Sequence, residues 1–279
     1  MFRYKGDDGT PLAGFLWRES SQPKAMIQLA HGAGEHAMRY LEPLQPLLRA
    51  GYLVYAADHR GHGMTSGMAQ LGQFGPGGVP AAINDMAVLS RLARAEHPGL
   101  PLILFGHSMG AMFAQAYLYD HSKLIDALIL SGTSGPGPRL PGGFNDAFPN
   151  PRTDYDWLSR DNAEVDKYVA DPFCGIQFDA ASQASLGELR ESSKRLQAPA
   201  KVGRTLPVYV FVGDKDPIHH NLRRLTPLVD AYVQGGLKVD LKIYPGGRHE
   251  MLNETNRNEV VADLIAWLDR TVAGLTPAR

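Results

Sequence analysis

The 279-residue sequence has a single cysteine, no surplus of charge of either sign and no long apolar run. Cys174 has no second cysteine with which to form a disulfide, so nothing in the sequence requires an oxidising compartment. The formal net charge of −1 argues against a nucleic-acid partner. No segment approaches the ~20 consecutive apolar residues of a transmembrane helix, and the first residues lack the apolar centre of a signal peptide. We therefore expect a cytoplasmic protein.

The most informative motif is Gly106-His107-Ser108-Met109-Gly110. It follows the apolar run 102–105 and precedes the helix-like segment 111–118. A G-x-S-x-G motif at a strand-to-helix turn is typical of a nucleophile elbow, in which Gly106 and Gly110 make room for a strained serine. Such a turn exposes the hydroxyl of Ser108 and directs the amide of Met109 at the position where an oxyanion would form. A glycine-rich turn with a surface serine is the alternative.

Two later strand ends supply a candidate acid and a candidate base. The apolar run 208–212 ends near Asp214 and Asp216, and the run 239–244 ends in a loop that contains His249. The chain order serine, acid, histidine is that of α/β-hydrolases. We favour Asp216 as the acid and Asp214 as a turn or capping residue, although either aspartate could cap the helix expected near residue 218. His107 should point away from its neighbour Ser108.

An earlier strand, 26–30, runs into the loop 31–36. This loop resembles the HG-type loop of esterases and lipases, so the amide of Ala33, which follows Gly32, is the expected second oxyanion donor. His31 should brace the loop by hydrogen bonding. A phosphate-binding turn is the alternative, but the full G-x-G-x-x-G spacing and a following Lys-Ser/Thr pair are missing.

Taken together, five segments resemble the monoacylglycerol lipase and lysophospholipase group of α/β-hydrolases, whose bacterial members are often described as serine aminopeptidase-like. They are 31–40, 58–66, 106–110, 213–218 and 242–249. The resemblance extends from about residue 9 to residue 268 and is weakest from about 133 to 200. It implies that Ser108 is the nucleophile, Asp216 the acid and His249 the base, with Ala33 and Met109 as oxyanion donors.

The alternation of strands and helices predicts an α/β-hydrolase fold with a mostly parallel central sheet flanked by helices. We assign residues 1–132 and 205–279 to the hydrolase core and residues 133–204 to a helical lid inserted after the sixth strand. Glycine- and proline-rich stretches, including Pro141-Gly142-Gly143, open the lid. Helices are expected at about 39–50 and 81–96, and a third follows the Ser108 turn and ends at about residue 120. In the lid, helices are expected at 161–170 and 184–193.

These features predict ester hydrolysis through an acyl-enzyme. The expected substrates are small molecules with an apolar acyl group, such as monoacylglycerols or lysophospholipids, because the predicted lid is rich in aromatic and aliphatic residues. Peripheral lipid contact through the lid is compatible with this composition. We expect no cofactor and no metal, since the histidines at 59 and 62 and at 219 and 220 lack a third ligand. Cys174 is expected to be a small buried apolar residue.

Two other functions remain open on the sequence alone. The same triad could cleave a lactone or an amide, and an aminopeptidase would need an acid such as Asp154, Asp156 or Glu188 to bind the substrate ammonium group. A non-catalytic binding protein on the same fold is the other alternative. Acyl chain length and oligomeric state are not predicted.

Overall fold

The computed structural model describes residues 1–138 and 142–275. Pro141 of the predicted glycine- and proline-rich break and residues 276–279 of the predicted core lie outside the described residues. The centre of the fold is an eight-stranded sheet with the strand order β1-β2-β4-β3-β5-β6-β7-β8. The strands are β1 Phe2–Lys5, β2 Pro11–Trp17, β3 Ala25–Ala30, β4 Tyr52–Ala57, β5 Leu102–His107, β6 Ala127–Ser131, β7 Pro207–Gly213 and β8 Lys238–Tyr244.

The sheet is parallel except at one edge, where β2 pairs antiparallel with both β1 and β4. Strands β3 to β6 are buried along their whole length, which explains their continuous apolar runs: a parallel sheet is covered on both faces. Successive residues of β5 pack into two different hydrophobic cores, one on each face of the sheet. Leu104 belongs to the first core and Phe105 to the second. The predicted α/β-hydrolase architecture is therefore confirmed.

Nine α-helices are described: α1 Gln45–Arg49, α2 Gly63–Ser66, α3 Gly78–Glu96, α4 Met109–His121, α5 Asn162–Ala170, α6 Ala180–Glu191, α7 Lys194–Val202, α8 Leu225–Gln234 and α9 Arg257–Gly274. Helices α3 and α4 cover one face of the sheet, and α1 and α9 cover the other. No helix among the described residues is both long and apolar enough to cross a bilayer.

The structure differs from the sequence predictions in two helices and contains two elements that were not predicted. The helix expected near residue 218 is a 3-10 turn, Pro217–His219, and α8 begins only at Leu225. The helix expected at 39–50 is divided into a 3-10 turn, Ala37–Tyr40, and the short helix α1, because Pro43 and Pro46 lack the amide hydrogen that a continuous helix needs. Strand β1 was not predicted, since it has only four residues and buries one of them. Helix α7 was also missed, and it contains Pro199.

The chain between β6 and β7 contains two 3-10 turns, Phe144–Ala147 and Asp156–Leu158, followed by α5, α6 and α7. It leaves the sheet after the sixth strand, as the sequence predicts. Ala198 and Val202 of α7 belong to the same core cluster as Phe113 of α4. The division of the chain into a hydrolase core and a lid remains a prediction.

A buried arginine attaches this inserted chain to the core. Arg195 on α7 is fully buried and, among the described residues, forms no ion pair with a carboxylate. Its Nε donates to Gln115 Oε1 on α4 at 2.9 Å, its Nη1 donates to the Arg190 carbonyl at 3.0 Å, and its Nη2 donates to the Ser134 carbonyl at 2.6 Å. Burial lowers the pKa of Arg195 to about 10. The guanidinium thus joins the chain leaving β6 to α4 and α7 through neutral acceptors.

Candidate active site

The turn between β5 and α4 holds Ser108 in a strained conformation with φ 54° and ψ −115°. The flanking glycines are needed for steric reasons. A Cβ atom on Gly106 would lie 2.5 Å from the Gly110 carbonyl oxygen, and a Cβ on Gly110 would lie 2.0 Å from that of Ala30. Both distances are shorter than real Cβ contacts, so only glycine allows the helix and strand to approach this closely.

The loop after β3 lies directly against this turn. A Cβ on Gly32 would lie 3.1 Å from Ser108 Cβ, and the Ser108 amide donates to the Ser131 carbonyl at 3.0 Å. Ser108 is partly exposed, whereas Gly32 and Met109 are buried. Met109 is the first residue of α4, where backbone amides have no acceptor within the helix and the helix dipole is positive. The structure thus places the Gly32 loop and the first turn of α4 beside the serine.

Asp216 and His249 form a buried pair at the ends of β7 and β8. Nδ1 of His249 lies 2.9 Å from Asp216 Oδ2, and both side chains are at most 2% exposed. The second oxygen of Asp216 accepts the Ile218 amide at 2.9 Å, so this aspartate caps its turn and also orients the imidazole. Asp214 Oδ1 accepts the Gly246 amide at 2.6 Å and thereby fixes the loop that contains His249.

The surroundings of His249 favour its charged form. Burial alone lowers the pKa of this histidine, but the charge and hydrogen bond of Asp216, with smaller contributions from Glu250 and Glu35, outweigh burial and raise it. Burial likewise opposes ionisation of Asp216, and the contact with His249 reverses this, so the pKa of Asp216 lies below its ordinary value. An imidazole in this environment can accept a proton readily.

Two further histidines support these elements. Nδ1 of His31 donates to the Gly32 carbonyl at 2.8 Å, and its Nε2 accepts the amide of His59 in the loop after β4 at 3.0 Å. His31 thus joins these two loops, and its functional role stays a prediction. The ring of His107 lies 4.7 Å from the ring of His249, and its Nδ1 is 3.3 Å from Ser131 Oγ. Burial lowers the pKa of His107 to about 3, which keeps it neutral.

A buried charge network connects the Gly32 loop to the histidine loop. The guanidinium of Arg39 binds both oxygens of Glu250, at 2.7 and 2.8 Å, and also contacts Glu35 Oε2 at 2.5 Å. The other oxygen of Glu35 accepts the Gly32 amide at 2.5 Å and the Tyr40 hydroxyl at 2.7 Å. This network holds the two loops at a fixed separation.

The two carboxylates of the network differ in their ionisation. Burial disfavours the charge of Glu250, but its two-point contact with Arg39 outweighs burial and lowers the pKa to about 2. Glu35, which Arg39 contacts through one nitrogen only, has its pKa raised by burial. Glu35, Arg39 and Glu250 were not predicted from the sequence to be functional residues. The position of Glu250 directly after His249 was the available signal.

The inserted chain contributes an aromatic wall beside His249. The Trp157 ring lies 4.7 Å from the His249 ring, and the Phe144 ring lies 4.4 Å from Trp157. Backbone contacts fix this arrangement, because the Glu250 amide donates to the Leu158 carbonyl at 2.8 Å. An apolar surface therefore borders the imidazole on the side of the inserted chain.

Comparison with known proteins is consistent with this geometry. Residues 21–256 match the family model described as "Serine aminopeptidase, S33". The chain is 32% identical over 288 residues to the monoacylglycerol lipase of Mycolicibacterium smegmatis, with 95% of each chain covered. It is 30% identical to the monoglyceride lipase of Homo sapiens, covering 95% of this chain and 89% of that one. A thermostable carboxyl esterase from Bacillus coagulans superposes with a TM-score of 0.88 at 27% identity, over 97% of this chain and 98% of that chain.

Proposed function

The chain belongs to the serine aminopeptidase, S33 family of α/β-hydrolases and to its monoacylglycerol lipase group, which consists of ester hydrolases. On that premise we propose that it hydrolyses monoacylglycerols and similar esters of apolar acyl groups through an acyl-enzyme on Ser108. The observation that carries the mechanism is the buried hydrogen bond between Asp216 and His249 near the strained turn of Ser108.

In the first half of this mechanism, His249 takes the proton of the Ser108 hydroxyl as the oxygen attacks the ester carbonyl. Asp216 holds the imidazole in the tautomer with hydrogen on Nδ1, leaving Nε2 to accept, and stabilises the imidazolium that forms. The amides of Ala33 and Met109 receive the developing oxyanion. His249 then protonates the leaving alcohol. In the second half it activates the water that releases the fatty acid.

The choice of an apolar acyl group is supported by the aromatic wall of Trp157 and Phe144 next to His249. Phe144 is 40% exposed, and we assign it a second role in contact with a lipid surface. A cytoplasmic location is part of the same proposal, because the single cysteine makes the fold independent of disulfides.

Aminopeptidase activity is less well supported by the surroundings of the three acids considered for it. Asp154 and Glu188 are exposed to solvent. Asp156 is buried, and its oxygens accept the Arg152 amide at 2.6 Å and the Thr153 hydroxyl at 2.7 Å. These carboxylates are therefore poorly suited to bind the ammonium group of a peptide in the site.

The proposal is tested with a series of 1-monoacylglycerols and p-nitrophenyl esters of increasing chain length. We expect turnover that rises from acetyl to medium or long chains and that is lost in Ser108→Ala but not in Ser193→Ala, a change at an exposed serine. Cleavage of aminoacyl amides in preference to every ester would contradict the proposed substrate class.

A further inference from the structure

Three donor atoms of different chemical types meet where the loop after β3 contacts the inserted chain. One ligand atom each from His36, Asp171 and Cys174 lies within 4.8 Å of the other two. Nε2 of His36 is 2.9 Å from Asp171 Oδ2. Imidazole nitrogen, thiol sulfur and carboxylate oxygen are the donors that Zn²⁺ uses in proteins. The proximity of these residues was not predicted from the sequence, because 135 positions separate His36 from Asp171.

A tight turn after α5 aligns two of these donors. The Asp171 carbonyl accepts the Cys174 amide at 3.0 Å, so side chains three residues apart lie on the same side of the turn. Oδ1 of Asp171 accepts the Phe173 amide at 2.9 Å, which fixes the carboxylate and leaves Oδ2 directed at His36. Two-residue spacing between ligands is common in zinc sites, and hydrogen bonds of this kind orient metal-binding carboxylates.

Hydrogen bonds attach this turn to the loop after β3, which contains the third donor, His36. The Gly34 carbonyl accepts both the Gly175 amide at 2.9 Å and the Tyr168 hydroxyl at 2.7 Å. The Phe173 ring packs edge-on against the His36 ring with centroids 5.9 Å apart. The hydrogen bonds to the Gly34 carbonyl therefore hold the turn against the loop independently of the three donors, and the Phe173 ring positions the His36 ring.

The donor set is accessible from solvent. His36, Asp171 and Cys174 are all partly exposed, and the first two line a cleft of about 490 Å³ between the loop and α9. The nearby positive charge of Arg39 is opposed by its direct contacts with Glu35 and Glu250. A divalent cation thus has an entry path to the three donors.

We propose that His36 Nε2, Asp171 Oδ2 and Cys174 Sγ bind one Zn²⁺ ion, with water as the fourth ligand. A tetrahedral zinc places its ligands about 3.3–3.6 Å apart, so small side-chain movements suffice. On binding, the Cys174 thiol releases its proton to solvent, and His36 takes the tautomer with hydrogen on Nδ1 so that Nε2 can bind the ion. Zinc then replaces the hydrogen bond between His36 and Asp171. The ion would cross-link the loop containing Ala33 to the inserted chain.

The test is zinc titration of the chelator-treated full chain by calorimetry, with Co²⁺ as a spectroscopic probe. We expect one Zn²⁺ per chain, and a thiolate-to-cobalt charge-transfer band in the bound state. Cys174→Ala and His36→Gln should each lower the affinity for Zn²⁺ at least tenfold, and Cys174→Ala should remove the charge-transfer band. His121→Ala, a change at a histidine that pairs with Asn84, serves as the matched control and should leave both readouts unchanged.

Circular dichroism first establishes that each variant is folded, and neither readout depends on ester turnover. Asp171→Asn provides a second arm, because asparagine keeps an oxygen for the Phe173 amide but loses the charge that the cation needs. No stoichiometric binding to the wild-type chain, zinc affinity that is unchanged in Cys174→Ala and Asp171→Asn, or a cobalt spectrum without the thiolate band would each overturn the proposal.

Discussion

The carboxyl edge of the sheet and the chain inserted between β6 and β7 position their side chains by different means. At the sheet edge, strand register and glycine sterics fix the Ser108 turn, and Asp216 and His249 follow neighbouring strands. In the inserted chain, short helices are attached to the core by individual side chains such as Arg195. On the proposed function, the chemistry belongs to the sheet edge and the substrate preference to the inserted chain.

The largest expected effect concerns the sheet edge. Asp216→Asn should reduce kcat about 10⁴-fold, because the amide favours the wrong imidazole tautomer and cannot stabilise the imidazolium. Asp214→Asn is the matched change, since asparagine keeps an oxygen for the Gly246 amide, and its kcat should stay within a few-fold of wild type. Steady-state kinetics on one good ester decides between them. Equal losses in both variants would mean that the acid has been misassigned.

In the inserted chain, the largest effect should be on stability. Arg195→Ala removes a fully buried side chain and leaves Oε1 of the buried Gln115 without the donor it has in the structure, so we expect a loss of about 2–4 kcal/mol in the free energy of unfolding. Urea denaturation measures it. Lys194→Ala, at the exposed neighbouring position, should change stability by less than about 0.5 kcal/mol. If the two variants were equally stable, Arg195 would not attach the insert to the core.

Substrate preference should respond to the aromatic wall. Trp157→Ala should lower kcat/KM for long-chain esters about tenfold relative to acetyl esters, because it removes apolar surface next to His249. Phe148→Ala is the control in the same segment, since that ring packs on Arg248. A Trp157 variant with an unchanged chain-length profile would place the acyl group elsewhere.

The smallest effect is a displacement of the pH profile. His249 acts as a base only when neutral, and its pKa is raised, so kcat/KM should fall as the pH drops through a value above about 6.5. Glu250→Gln removes a negative charge that helps to raise this pKa, so the acid limb should move to lower pH. Glu259→Gln, at an exposed site, should leave the limb in place. An acid limb of the kcat/KM profile that moved to higher pH in Glu250→Gln would contradict this electrostatic account.

The same contrast explains which parts of the fold and of the site could be predicted from the sequence. Strands β3 to β6 were predictable because burial on both faces produces unbroken apolar runs. The Ser108 turn was predictable because its sterics demand glycine at 106 and 110. The network of Glu35, Arg39 and Glu250 was not predictable from the sequence, since 211 residues separate Arg39 from Glu250. Helix α7 was missed because Pro199, normally a helix breaker, is tolerated there by tertiary packing.

The most direct test of the account is to trap the covalent intermediate. The protein is incubated with a fluorophosphonate probe and digested, and the labelled peptide is identified by mass spectrometry. The account predicts one adduct on Ser108 that is lost in Ser108→Ala and strongly slowed in His249→Ala. Labelling of a different residue, or no labelling of a folded protein that hydrolyses esters, would contradict it.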